Sequence, residues 1–164
     1  MMTQPQQVEY LRLPQQGLGQ MTAVARRLIA GVPSDHDLEK SRRLMEYLAS
    51  EQFGYSLDAS VDDPELDPVE DFLFRRKRGH CEYFASSLAL MLRAVNIPSR
   101  LVSGFKGGTH NQISGQFVVQ QRHAHAWVEA WIGARWVTLD PTPAARGDLI
   151  RELEMESRFL RDAG

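Results

Sequence analysis

An α+β fold is what this sequence predicts: helices first, then a central helix packed on an antiparallel sheet. Three observations lead there. Apolar residues recur at helical spacing up to Asn96. From Ser99 to Asp140 the pattern becomes short β-type stretches. Gly133-Ala134 then sits between two of these as a hairpin turn. Helices followed by strands is the segregated order of an α+β domain.

Residues 1–18, opening MMTQPQQ, read as a loose N-terminal tail, residues 19–147 as a single domain, and residues 148–164 as a charged C-terminal helical tail. Within the domain, 19–30 and 36–53 read as amphipathic helices. In the second, Leu38, Leu44, Met45, Leu48 and Phe53 form an apolar stripe, and Ser34 is the expected N-cap. GYSLD then reads as a short extended piece. The acidic loop DASVDDPELDPVE ends in a helix start, with Asp67 as cap, Pro68 at the first helical position and Glu70 at the capping-box position. That helix continues through Phe74 into RRKR.

The helix from Cys81 to Asn96 has the clearest pattern. Cys81, Ala85, Leu88 and Leu92 recur at helical spacing, and Phe84, Met91 and Val95 widen the buried stripe. Four β-like stretches follow, SRLVSGF, GQFVVQQ, HAHAWVEAWI and RWVTLD, with the loop KGGTHNQISG between the first two. Gly133-Ala134 suits a two-residue turn of the Gly-X kind. It pairs Ile132 with Arg135, Trp131 with Trp136 and Trp127 with Asp140.

Bulk properties exclude several function classes. The chain has 164 residues, enough for one domain with a core, and its 43% hydrophobic and 24% charged residues are ordinary for a soluble globular protein. A net charge of -2 argues against nucleic-acid or acidic-membrane binding. The single cysteine cannot form an internal disulfide. There is no bilayer-length apolar run and no signal peptide, so in a secreted or membrane-bound protein this chain is expected to be an excised piece.

That cysteine stands at a helix start. Unpaired N–H groups and the helix dipole stabilise a thiolate there. Gly79 before it is expected to give a tight turn and room for a substrate. From position alone, Cys81 reads equally as a small buried hydrophobe. The strands add to it. With the register above, His125, Trp127, Glu129 and Trp131 share a face with Trp136, Thr138 and Asp140. His125 and Asp140 become diagonal neighbours, roughly 7–8 Å apart at the backbone. An imidazole oriented by a carboxylate is half of a nucleophile–base–orienter triad. His123 and His125 form H-x-H, yet no second cysteine, C-x-x-C or H-E-x-x-H supports a metal, and none is expected. His36 and His110 lie in polar stretches. The run at 75–78 reads as a solvated face whose positive field also favours a Cys81 thiolate.

GHCEYFASSLALMLRAVNIPSRLVSGF, HAWVEAW and WVTLDPT, in that order and spacing, resemble the bacterial transglutaminase-like domains on the papain-like fold. The similarity covers roughly residues 50–145 and is greatest to the TgpA type, carried outside the membrane by multi-span inner-membrane proteins. The resemblance implies Cys81 as nucleophile, His125 as base and Asp140 as orienting acid. It implies acyl transfer from a glutamine carboxamide through a thioester to an amine such as lysine, or to water. It implies no cofactor, a protein or peptide partner, and a site at the periplasmic face of the inner membrane, tethered to membrane spans. The Cys81 N–H is the expected first oxyanion donor, Tyr55 a candidate second, and Trp127 a candidate cleft wall. The glycine-rich loop is a candidate cover. A cysteine protease or amidase acting on peptide or cell-wall amides, and a catalytically silent peptide-binding module, are the competing readings.

Overall fold

The helical half is assembled around one spine. A computed structural model describes residues 4–57, 65–107, 109, 110 and 112–143. Helix α1 (Gln4–Tyr10) falls where a loose tail is expected. Its Tyr10 ring stands edge-on to Trp136 at 5.0 Å, the Arg12 carbonyl accepts from Arg93 Nη1, and Leu18 is buried. Aromatic packing and that hydrogen bond correct the loose-tail expectation over these residues. The helical tail expected over 148–164 lies outside the described residues.

Helices α2 (Gly19–Leu28) and α3 (Asp37–Leu48) follow. The second stops before the expected Phe53, because the Ser50 amide and hydroxyl both turn back to the Tyr47 carbonyl. Ser34 does not cap it. His36 holds that position without a side-chain bond, while the Ser34 carbonyl accepts from Lys40 Nζ at 2.5 Å. Strand β1 (Gly54–Tyr55) leads, beyond residues 58–64, to α4 (Pro68–Asp71), where Asp67 Oδ1 accepts from the Val69 amide as expected. Glu70 does not close a box on its own helix. It is buried, and its Oε1 accepts from the Met21 amide at 2.9 Å, capping α2 instead. A π-helical turn (Phe72–Arg76) continues α4 and ends at Lys77, which is left-handed with φ 53°. Strand β2 (Arg78–Gly79) then pairs parallel to β1, Tyr55 opposite Gly79.

Helix α5 (Cys81–Ala94) is the spine. It ends two residues before the expected Asn96, which instead takes the left-handed cap, φ 70°, so that the Ile97 amide reaches the Leu92 carbonyl. Phe84, Leu88, Met91 and Leu92 are sealed from solvent, together with Met21, Leu44 and Leu48 from the flanking helices and Val128 and Leu139 from the sheet. Burying each such side chain stabilises the fold by about 1.5–3 kcal/mol.

Strands β3 (Ser99–Phe105), β4 (Thr109–His110), β5 (Phe117–Val118), β6 (Ala124–Ile132) and β7 (Arg135–Leu139) follow α5. The main sheet has order β3-β6-β7, antiparallel throughout. The expected strand GQFVVQQ contributes only β5, which pairs with β4 in a separate ribbon. Phe117, Val118 and Val119 are exposed, so this stretch has no buried face to extend its pairing. In β6, Ala126, Val128, Ala130 and Ile132 are buried, while the alternate residues from His125 to Trp131 are half-buried. The turn register is the predicted one, Trp131 with Trp136 and Ile132 with Arg135. Its type differs: Gly133 and Ala134 both have positive φ, 57° and 63°, the I′ geometry whose twist matches the flanking strands.

Candidate active site

Cys81 is the first residue of α5, half-buried, and packs against the core edge. The β1–β2 pair fixes its approach: the Gly54 amide donates to the Lys77 carbonyl, and the Ser56 amide to Gly79. Gly79 is required for a different reason from the one expected. Its φ is not left-handed; instead a Cβ there would stand 2.8 Å from Tyr83 Cδ2. The Tyr83 ring occupies the space that a side chain at Gly79 would need. That ring also takes Arg76 at 5.5 Å from its centroid, so one member of the basic run packs rather than facing solvent.

On the sheet, His125 Nε2 and Asp140 Oδ2 are 2.7 Å apart, as the hairpin register predicts. The carboxylate is buried, at 4% side-chain exposure, and the imidazole nearly so, at 15%. Pro141 lacks an N–H and ends the ladder; the Thr142 amide then folds back onto Asp140 Oδ1 at 3.2 Å. Burial pushes the Asp140 carboxyl up. Hydrogen bonds from Lys106, His125 and Thr142 outweigh it, and the group sits below its ordinary value.

Lys106 is the residue that sequence reasoning missed. Its Nζ lies 2.8 Å from Asp140 Oδ2, the same oxygen that meets His125. The lysine follows β3, and its backbone amide donates to the His123 carbonyl. Only the β3–β6 register, Gly104 opposite His125, brings it there. His123 is committed locally: its Nδ1 accepts the Gln120 amide at 3.0 Å.

Tyr55 is half-exposed on β1, opposite Gly79. Burial, and secondly the Cys81 charge, raise its phenol pKa, which keeps the hydroxyl a donor. Trp127 stacks beside His125, ring centroids 6.3 Å apart and planes inclined by 23°. Its indole lies over Gly104, where a Cβ would come within 2.9 Å. The structure therefore joins His125 to Asp140, adds Lys106, and sets Trp127 beside the imidazole.

The pattern of the transglutaminase-like superfamily matches residues 22–141. A protein-glutamine gamma-glutamyltransferase of Pseudomonas aeruginosa is 33% identical over 159 residues, covering 93% of this chain and 23% of that protein. Bacillus subtilis YebA is 30% identical over 141 residues, covering 81% of this chain and 19% of its own length. The chain thus spans less than a quarter of these two relatives. The crystal structure of the periplasmic domain of TgpA from P. aeruginosa superposes with a TM-score of 0.77 at 31% identity, over 94% of this chain and 53% of that one. Among the described residues, no helix is long and apolar enough to cross a membrane. By sequence pattern, identity and fold alike, the chain belongs to the transglutaminase-like superfamily.

Proposed function

We propose that this domain performs thiol-dependent acyl transfer on glutamine carboxamides, with Cys81 as nucleophile, His125 as general base and acid, and Asp140 as orienting carboxylate. The observation that carries the reading is the 2.7 Å His125–Asp140 bond, formed on the strand that α5 packs against. With Nε2 held by Asp140, the Nδ1 side of the ring is left for the thiol. The sulfur attacks the carboxamide carbon as its proton passes to His125. His125 then protonates departing ammonia, leaving a thioester. An amine attacks the thioester, gives its proton to His125 and releases the thiol with an isopeptide bond. As the first residue of α5, Cys81 has an N–H without an intrahelical acceptor, suited to a developing oxyanion. The Tyr55 hydroxyl is the second donor, and Trp127 walls the cleft.

Two further parts of the reading draw on relatives. The P. aeruginosa transferase supports protein glutamines as donors. The periplasmic origin of the TgpA domain supports a place outside the inner membrane, tethered to spans elsewhere in a longer protein.

The test is mass spectrometry of a glutamine peptide incubated with a primary amine. The peptide is expected to gain the amine and lose ammonia, and Cys81→Ala to abolish that product while circular dichroism stays unchanged. Backbone cleavage would replace the reading with a protease. A wild-type protein without product, whose Cys81 reacts with iodoacetamide no faster than a free thiol, would replace it with a binding module.

A further inference from the structure

We propose that Lys106 is a positioning residue: its ammonium neutralises the buried Asp140 carboxylate and thereby sets how readily His125 takes up a proton. The inference deepens the proposed function and rests on it for the role of His125. The geometry is specific. Lys106 Nζ and His125 Nε2 converge on one oxygen of Asp140, at 2.8 and 2.7 Å, while the Thr142 amide holds the other. Asp140 is 4% exposed at its side chain and Lys106 is 45% exposed. The lysine thus reaches inward from a solvated base to a carboxylate that water barely touches. A buried carboxylate with only a neutral imidazole and one amide is poorly compensated. With the lysine, the cluster of Lys106, Asp140 and a neutral His125 sums to zero charge. Without it the same cluster is −1, and the nearest proton acceptor is the imidazole. Among the described residues, the charged groups bonded into this cluster are Lys106 after β3 and Asp140 after β7, the latter also held by the Thr142 amide, with the uncharged Trp127 ring beside the imidazole.

A second effect follows from where Lys106 sits. It opens the glycine-rich segment, with Gly107 left-handed at φ 84°. Its amide is tied to the His123 carbonyl and its side chain to Asp140, so the segment leaves the sheet from a residue anchored at both ends.

The experiment is an NMR titration of the His125 ring nitrogens in the substrate-free protein, for wild type, Lys106→Met, Lys106→Gln and Lys106→Arg. Methionine and glutamine are expected to move the His125 midpoint up by on the order of one pH unit. Arginine is expected to restore it. The limb of the kcat/KM profile governed by that proton should move in parallel, with KM little changed. Because the lysine stem is half-exposed, both neutral variants are expected to fold, as amide spectra will show. A midpoint unchanged in both folded neutral variants overturns the proposal, as does a shift that arginine fails to reverse. The titration needs no substrate, so it reads Lys106 even if the domain transfers no acyl group. A normal transferase with an unmoved midpoint would sink only the lysine.

Discussion

The β6–β7 ribbon carries a cation–carboxylate pair at each end, and the two are built for different ends. Near the turn, Arg100 grips Glu129 through Nε and Nη2 at 2.7 and 2.5 Å. Its guanidinium also lies 4.2 Å from the Trp136 centroid, and Trp136 meets Trp131 and Tyr10 edge-on. At the open end, Lys106 Nζ meets an Asp140 oxygen shared with His125. The cations are equally exposed, 40% and 45%; the carboxylates are not, 21% against 4%. A guanidinium whose two nitrogens close on one oxygen, Glu129 Oε2, and whose face stacks on an indole, with solvent at hand, fixes packing. A desolvated carboxylate divided between an ammonium and an imidazole holds that ring in place.

Neutralising each carboxylate separates the two roles most sharply. Asp140→Asn is expected to lower kcat/KM for amine incorporation by about 10³–10⁴-fold, the scale of lost tautomer control in triads. Glu129→Gln should leave it within about twofold, with a stability cost near the ~1 kcal/mol typical of partly exposed pairs. Equal losses in the same assay would erase the distinction.

Acid is the next lever. The Asp140 pKa lies below its ordinary 3.8 in the folded state. Its ionised form therefore stabilises the fold fully above that value, and the contribution disappears as pH falls through the lower folded value. Urea midpoints between neutral pH and about pH 2.5 should fall less steeply for Asp140→Asn than for wild type. Parallel curves would mean that Asp140 carries no such linkage.

The smallest expected effect belongs to the turn. Ala134 holds φ 63°, a conformation glycine adopts without strain. Ala134→Gly should stabilise the protein by about 0.5–1 kcal/mol, read as a raised Tm with no change in rate. A lower Tm would show that the alanine methyl contributes packing at that end.

These two ends also mark what could be read from residues alone. A two-residue turn sets register, so one dipeptide placed Trp131 against Trp136 and carried His125 to Asp140. No such turn joins β3 to β6. Residues 106–123 intervene, and their short ribbon and turn follow no long period, so Lys106 could not be placed. The helix spine was visible because its apolar stripe is continuous. Caps were less so: Asp67 acts within its own turn and was legible, whereas Glu70 caps a helix 49 residues away in sequence. Ser34 matched the residue preference but not the geometry, since a lysine ammonium supplied its carbonyl with a partner. The need for glycine at position 79 comes from the Tyr83 ring, whose place nothing local announces.

That ring has one more consequence. Tyr83 lies two residues beyond Cys81 and closes over the glycine two residues before it, so the cysteine's backbone is clasped on both sides by its own neighbours. In the proposed reaction, an amide arriving at the sulfur would meet a main chain whose freedom was surrendered when the chain folded, with little ordering left for the encounter itself.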